Sequence, residues 1–200
     1  MWNYKTPGIP DEFFERTEKV PITKEEVRTI QLSKARLTAG QTVYDIGCGS
    51  GSISIEAALQ VENTGKVIAI DYDSNAVELT KKNIEKFGVS NISVIFGNAK
   101  EKILELEKAD AIFIGGTGGD TKEIVELSQN KLKSGGRIVI AIILIETLYS
   151  VLQILDKLQF DSVDITQVTI SKSKKTTKGT MMLARNPVTI ISATKVSSSF

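Results

Sequence analysis

An aspartate followed by glycines at alternate positions, Asp45-Ile46-Gly47-Cys48-Gly49-Ser50-Gly51, is the stretch of this chain best equipped for chemistry. Glycine reaches backbone angles closed to other residues and leaves no Cβ between a loop and a ligand. Val43 and Tyr44 in front of it read as a strand, and Ser50 to Leu59 behind it read as a helix. The unpaired N–H groups at the start of that helix would face whatever lies over the loop. The spacing is G-x-G-x-G, and Ser52 stands where the dinucleotide fingerprint G-x-G-x-x-G wants its last glycine, so the expected ligand is S-adenosyl-L-methionine. A glycine-rich strand-to-helix turn without a ligand is the plain alternative.

Other residues fall where they could serve such a ligand. Asp45 is near enough to the loop to attract an ammonium group or to buttress the turn. Asp71 ends the apolar stretch 66–71 and fits an acceptor for a pair of ribose hydroxyls, with helix capping as its alternative. Cys48, the single cysteine, has no activating base beside it and reads as a small filler. Glu146 follows the most apolar strand, on the face where open α/β sheets bind ligands. It is the candidate to handle a proton, and a first-turn helix acid otherwise.

The composition narrows the chemistry. The chain has 200 residues, enough for one ordinary domain with a single core. It has no histidine, so zinc sites of the cysteine–histidine type, cysteine–histidine nucleophiles and serine–histidine triads lack their parts. No metal site is expected. With 25 basic and 24 acidic residues the net charge is +1, which gives no global case for nucleic acid or membrane partners. No apolar h-region opens the chain and no apolar run reaches membrane length, so a cytoplasmic protein is expected.

The elements that must position these residues can be read in order. Residues 1–22 hold three of the four prolines together with Trp2, Tyr4, Phe13 and Phe14, and read as an extended arm lying over the domain, a site or another subunit. Thr23-Lys24-Glu25-Glu26 has the form of a capping box, which predicts a helix from Thr23 to about Arg36. Strands are predicted over 66–71, 91–96 and 110–114, separated by a helix from Asp73 to Gly88 and a short one carrying Ala99, Ile103 and Leu106. After Gly115-Gly116-Thr117-Gly118-Gly119, Asp120 with Glu123 predicts a second capping pair and a helix to about Leu132. Arg137 to Ile145 should be a central strand, followed by a helix striped with Leu148, Val151, Leu152, Leu155 and Leu158. Two final strands, 163–171 and 180–192, are expected to pair as a hairpin through the polar link 172–178. A parity flip predicts a bulge in the first, and Pro187 an interruption in the second. The domain is expected over residues 23–194, with a loose tail at 195–200.

Alternating strands and helices that end in a hairpin resemble the Rossmann-like class I methyltransferase fold: α/β, a seven-stranded mostly parallel sheet with a C-terminal antiparallel hairpin, and helices on both faces. One branch is resembled more closely, through Gly8-Ile9-Pro10-Asp11-Glu12-Phe13-Phe14, the Thr23 box, the glycine loop, Gly115 to Gly119, Ile145-Glu146-Thr147-Leu148 and Asn186-Pro187-Val188. That branch is the decarboxylating cobalt-precorrin-6B methyltransferase family of cobalamin biosynthesis. The resemblance implies S-adenosylmethionine bound by Thr23, Asp45, Gly47, Cys48, Gly49, Ser50, Gly51, Asp71, Asn98 and Ala99, with Asn98 standing where many relatives carry an aspartate. It implies a tetrapyrrole substrate, a corrin precursor methylated at carbon 15 and decarboxylated at the carbon 12 acetate, and a homotetramer. Lys24, Arg28 and the 172–178 link are candidate clamps for the substrate's carboxylates. A class I enzyme acting on tRNA or a protein carboxylate, and a non-enzymatic nucleotide-binding module, are the competing readings.

Overall fold

The computed structural model describes Trp2 and residues 4–196. Its seven-stranded sheet runs in the order β3-β2-β1-β4-β5-β9-β6. β1 (Thr42–Ile46), β2 (Lys66–Asp71), β3 (Ile92–Phe96), β4 (Ala109–Ile114) and β5 (Leu132–Ile142) are parallel. β9 (Val188–Thr194) joins β5 antiparallel, and β6 (Asp161–Val168) joins β9 antiparallel. The expected class I architecture is therefore present. β4 holds the middle of the sheet and β5 is interior beside it, one place off the expected centre.

Side chains alternate between the two faces as the strand period requires. Ile112 and Ile114 of β4 pack with Ile124 and Val125 of α5 (Thr121–Lys131) and with Ile154 and Leu155 of α6 (Ile145–Lys157). Ala111 and Phe113 of the same strand face Val27 and Leu32 of α1 (Glu25–Ala35) and Ile53 and Ala57 of α2 (Ser52–Val61). Asp45 lies on this second face, toward α2. α3 (Ser74–Phe87) starts and stops where its sequence predicts: Asp73 accepts from the Asn75 N–H, and Gly88 ends it in the left-handed conformation. α4 (Ala99–Lys102) is one turn continued by a 3-10 segment, Ile103–Glu105.

Five expectations need correction. α1 begins at Glu25, and Thr23 makes no capping bond; the Glu25 N–H is taken by Asp11, which the arm brings to the helix start at 2.9 Å. Asp120 does not cap α5 through its side chain and pairs instead with Lys100 at 3.2 Å. β5 ends at Ile142, because Ile145 already belongs to α6. The link 172–178 is mostly strand: β7 (Ser171–Thr176) and β8 (Gly179–Ala184) form a separate two-stranded ribbon around a two-residue turn. Finally, Arg28 is wholly buried and cannot clamp a substrate from the surface. Each of the two predicted terminal strands is thus divided, at 169–170 and at 185–187. The second break falls at Pro187, which cannot donate to a ladder, and the β6–β9 register shifts between Asp161 and Asp164.

The arm runs over the domain. Ile9 and Phe14 pack with Ile55 and Phe87, and Val20 with Ala76 and Leu79. Arg28 fastens it, with Nε 2.5 Å from Glu56, Nη1 3.4 Å from Asp11, and further donations to the carbonyls of Thr23 and Ile9. Lys195 at the other end bonds through its backbone to Gly135 and Gly136; the rest of the expected tail, 197–200, lies outside the described residues. Among the described residues no helix is long and apolar enough to cross a membrane.

Candidate functional site

The turns that follow β1 to β4 meet at one end of the sheet around a cleft of about 340 Å³. Gly47, Asp71, Tyr72, Asn98 and Ala99 line one side of it, and Gly116, Thr117, Gly118 and Asp120 the other. This is the carboxyl end of the strands, where open α/β sheets take ligands, and the volume is at the lower end of that of small-molecule sites.

The glycine loop is drawn tightly over β2. The N–H groups of Gly47 and Cys48 both donate to the Ile70 carbonyl, at 2.8 and 3.2 Å, and the Gly49 N–H donates to Asp71 Oδ2 at 2.9 Å. Gly47 has φ +75°, and a Cβ built there would sit 1.7 Å from the Gly115 carbonyl oxygen. The β1 and β4 turns can therefore approach only because this residue carries a hydrogen in place of a side chain. Gly51, also in the left-handed conformation, opens α2.

Asp71 is the acid at the mouth. One oxygen takes the Gly49 N–H and the other the Asp73 N–H at 3.0 Å, and each keeps a second lone pair for a ligand hydroxyl. Asp45 sits behind the loop, nearly without solvent contact, and accepts from Ser54 Oγ at 2.5 Å. Burial pushes its carboxyl up to about 6; the Ser54 hydrogen bond opposes that rise, and the charge of Asp71 adds to it. This is the geometry of a buttress. The Cys48 thiol is buried 3.5 Å from Thr80 Oγ1, and desolvation, with Asp45 nearby, pushes it far above its ordinary range, so little reactive thiolate forms. Asn98 spends Oδ1 on the Lys100 N–H at the start of α4 while lining the cleft beside Ala99. Ser50 Oγ is buried without a hydrogen-bond partner among the described residues.

Of the sequence candidates, Gly47, Asp71, Asn98 and Ala99 line the cleft; Asp45, Cys48, Gly49, Ser50 and Gly51 belong to the loop and strand around Gly47 without lining it, and Thr23 and Glu146 stand on other elements. Thr23 lies where the arm enters α1, its carbonyl held by Arg28. Glu146 is exposed in the first turn of α6, following the exposed Ile143, Leu144 and Ile145. It follows the carboxyl end of β5, the end of the sheet at which the cleft lies. The structure adds Tyr72, Thr117 and Asp120 to the cleft. Tyr72 was not singled out in the sequence, and its place directly after Asp71 is the signal that could have found it; Asp120 was concealed by its resemblance to a helix cap.

The donors and acceptors fit a nucleoside-bearing ligand. Gly47, Gly116 and Gly118 in the wall, an acid at the end of β2 with free lone pairs, and polar Asn98 beside a small Ala99 are the parts such a ligand needs. S-adenosylmethionine is a ligand of that class.

Known proteins narrow that class. A family model described as "Precorrin methyltransferase domain" matches residues 12–195. A protein of Saccharolobus solfataricus named "Probable cobalt-precorrin-6B C(15)-methyltransferase (decarboxylating)" is 50% identical over 196 residues, covering 97% of this chain and 98% of its own length. One of the same name from Sulfurisphaera tokodaii is 50% identical over 188 residues, with 94% and 97% covered. Among solved structures, the precorrin-6y C5,15-methyltransferase of Geobacter metallireducens superposes with a TM-score of 0.89 at 34% identity, covering 97% of this chain and 100% of its own. The precorrin 8W decarboxylase of Methanobacterium thermoautotrophicum gives 0.87 at 34% identity, with 92% and 98% covered. With the match running nearly end to end and the glycine loop, Asp71 and the cleft assembled as that fold requires, this chain belongs to the precorrin methyltransferase family.

Proposed function

We propose that this chain transfers the methyl group of S-adenosylmethionine to carbon 15 of cobalt-precorrin-6B and directs loss of the carbon 12 acetate carboxyl as carbon dioxide. The observation that carries this reading is the 50% identity to relatives of that name across almost the whole of both chains. The glycine loop 47–51 and Asp71 would hold the cofactor, Asp71 at the ribose and Asn98 with Ala99 at the base. Bound there, the cofactor supplies a methyl group already activated by its sulfonium.

The protein's share is alignment and exclusion of water, since an enamine-like ring carbon needs no strong base to accept that methyl. Loss of carbon dioxide leaves an electron pair that the conjugated ring can receive, and a proton must then reach the former acetate carbon. Glu146 is the residue we assign to that proton, from its place at the carboxyl end of β5. We further propose a homotetramer. The β7–β8 ribbon, with Met181, Met182 and Leu183 exposed, and the exposed Phe13 of the arm are surfaces suited to its contacts.

Incubation with labelled S-adenosylmethionine and cobalt-precorrin-6B, followed by mass spectrometry, tests the reaction. The expected product has gained one CH2 and lost one CO2. A product that carries the methyl and retains every carboxyl would refute the decarboxylating assignment. Asp71→Ala should weaken S-adenosylhomocysteine by about 1.5–3 kcal/mol in calorimetry, the range for hydrogen bonds to a charged group. Unchanged affinity in a folded variant removes Asp71 from the site.

A further inference from the structure

The glycine loop is held from behind by two side chains of α3. Thr80 Oγ1 donates to the Gly49 carbonyl at 2.9 Å, and Asn83 Nδ2 donates to the Ser50 carbonyl at 2.9 Å. The two residues are three apart and share one face of the helix. Both are fully buried polar groups in a helix whose other buried side chains are mostly apolar. Asn83 holds the arm as well: Nδ2 donates to the Glu15 carbonyl at 3.1 Å, and Oδ1 accepts the Glu15 N–H at 2.7 Å. From the arm side, the Pro21 carbonyl lies 2.9 Å from the place a Cβ would occupy on Gly49. The loop is therefore confined between α3 and the arm.

Such confinement answers a need created by the loop's own composition. Gly47, Gly49 and Gly51 all have positive φ, at +75°, +55° and +75°. Glycine occupies that region readily but occupies several others as readily, so three alternate glycines leave the loop free to take many shapes. Fixing two successive carbonyls removes much of that freedom. Because a trans peptide points its N–H opposite to its carbonyl, tying the Gly49 carbonyl to Thr80 also turns the Ser50 N–H away from α3.

We propose that Thr80 and Asn83 are positioning residues that preform the glycine loop for the cofactor, and that Asn83 makes the docked arm part of that preformed state. The inference rests on the assignment of S-adenosylmethionine to the cleft. Without these bonds the loop spends part of its time in shapes that do not bind, and the apparent affinity falls in proportion to the competent fraction. The chemical step, once the cofactor is bound, is unaffected.

Thr80→Val keeps the shape of the side chain and removes the donor, and Thr80→Ser keeps the donor. Asn83→Asp keeps the acceptor for the Glu15 N–H and loses both donated bonds. Calorimetry with S-adenosylhomocysteine should show Thr80→Val weakened about 5- to 10-fold, the equivalent of one buried hydrogen bond, and Asn83→Asp weakened at least as much, since it loses two donated bonds. Thr80→Ser should bind as the unaltered protein does. In turnover, KM for the cofactor should rise while kcat at saturation stays near that of the unaltered protein. Lys86→Ala, which removes only the surface bridge between Lys86 and Glu15, should change neither. Thr80→Val binding as tightly as Thr80→Ser overturns the role of Thr80, and Asn83→Asp, or Asn83→Ala if the acid fails to fold, binding as tightly as the unaltered protein overturns that of Asn83 and the arm. If the unaltered protein binds no S-adenosylhomocysteine, the cofactor assignment falls and the proposal falls with it.

Discussion

Arg28→Met would remove a guanidinium that has no contact with solvent, and its cost can be worked from the bonds it leaves behind. Arg28 pairs with Glu56 at 2.5 Å and Asp11 at 3.4 Å, donates to the carbonyls of Thr23 and Ile9, and lies 4.8 Å from the centre of the Phe14 ring. Removing one partner of a buried ion pair typically costs about 3–5 kcal/mol, because the other charge stays buried without compensation. Here the stranded carboxylates keep some donors. Glu56 retains the N–H groups of Gly8 and Ile9 at 2.6 and 2.9 Å, and Asp11 retains that of Glu25 at 2.9 Å. Those bonds place the expected loss in the lower half of the range, about 3–4 kcal/mol. For a domain of this size that is a fall in Tm of roughly 6–16 °C. Urea unfolding should show a lower midpoint with a similar slope, since the surface exposed on unfolding hardly changes. Limited proteolysis should find residues 8–23 cut first, because the same guanidinium holds the arm at Ile9 and at Thr23. A loss below about 1 kcal/mol, the worth of an exposed ion pair, would refute the reasoning. It would mean that the network is open to water and does not fasten the arm.

Asp45→Asn should alter the pH dependence of stability. Burial pushes the folded carboxyl up to about 6 from an ordinary 3.8, so the folded state binds the proton more tightly and loses stability as pH rises between those values. The asparagine variant lacks that loss, and should gain on the unaltered protein by roughly 2–2.5 kcal/mol between pH 4 and 7; a constant difference in urea midpoints would contradict it. Glu146→Gln should slow turnover by about a hundredfold if the carboxyl moves a proton, with S-adenosylhomocysteine affinity unchanged. If Glu146 is only a first-turn acid, the change appears as a stability loss of about 0.3–1 kcal/mol and turnover is kept. Sedimentation at micromolar concentration should show a tetramer, and a monomer there would count against the ribbon and arm as contact surfaces.

Several features were legible in the sequence because their physics is local. Asp73 and Gly88 bound α3 since a cap needs only a side-chain oxygen two residues from an N–H, and a stop only a residue that tolerates positive φ. Lys66–Asp71 reads as a strand from its apolar run, and the break before Val188 follows from the missing N–H of Pro187. The alternate glycines marked the tight turn after β1, where Gly47, Gly49 and Gly51 all take positive φ, for the same reason.

What the tertiary structure decided involves groups that meet only after the chain has folded. Thr23 has the right neighbours for a capping box, yet Asp11, fourteen residues before Glu25, takes that residue's N–H because the arm delivers it there. Arg28 reads as a surface cation until Glu56, on another helix, and the arm enclose it. That the strand pairs on either side of the breaks at 169–170 and 185–187 go to different sheets, β6 and β9 into the main sheet and β7 with β8 into a ribbon, is likewise a matter of long-range pairing. Thr80 and Asn83 are polar residues at positions of α3 that face inward. Their hold on Gly49 and Ser50 spans 31 and 33 residues, beyond the reach of any local pattern. Spacing alone placed flexible glycines where a ligand could approach, and only the packing of α3 and the arm around them selects the one conformation among the many that glycine permits.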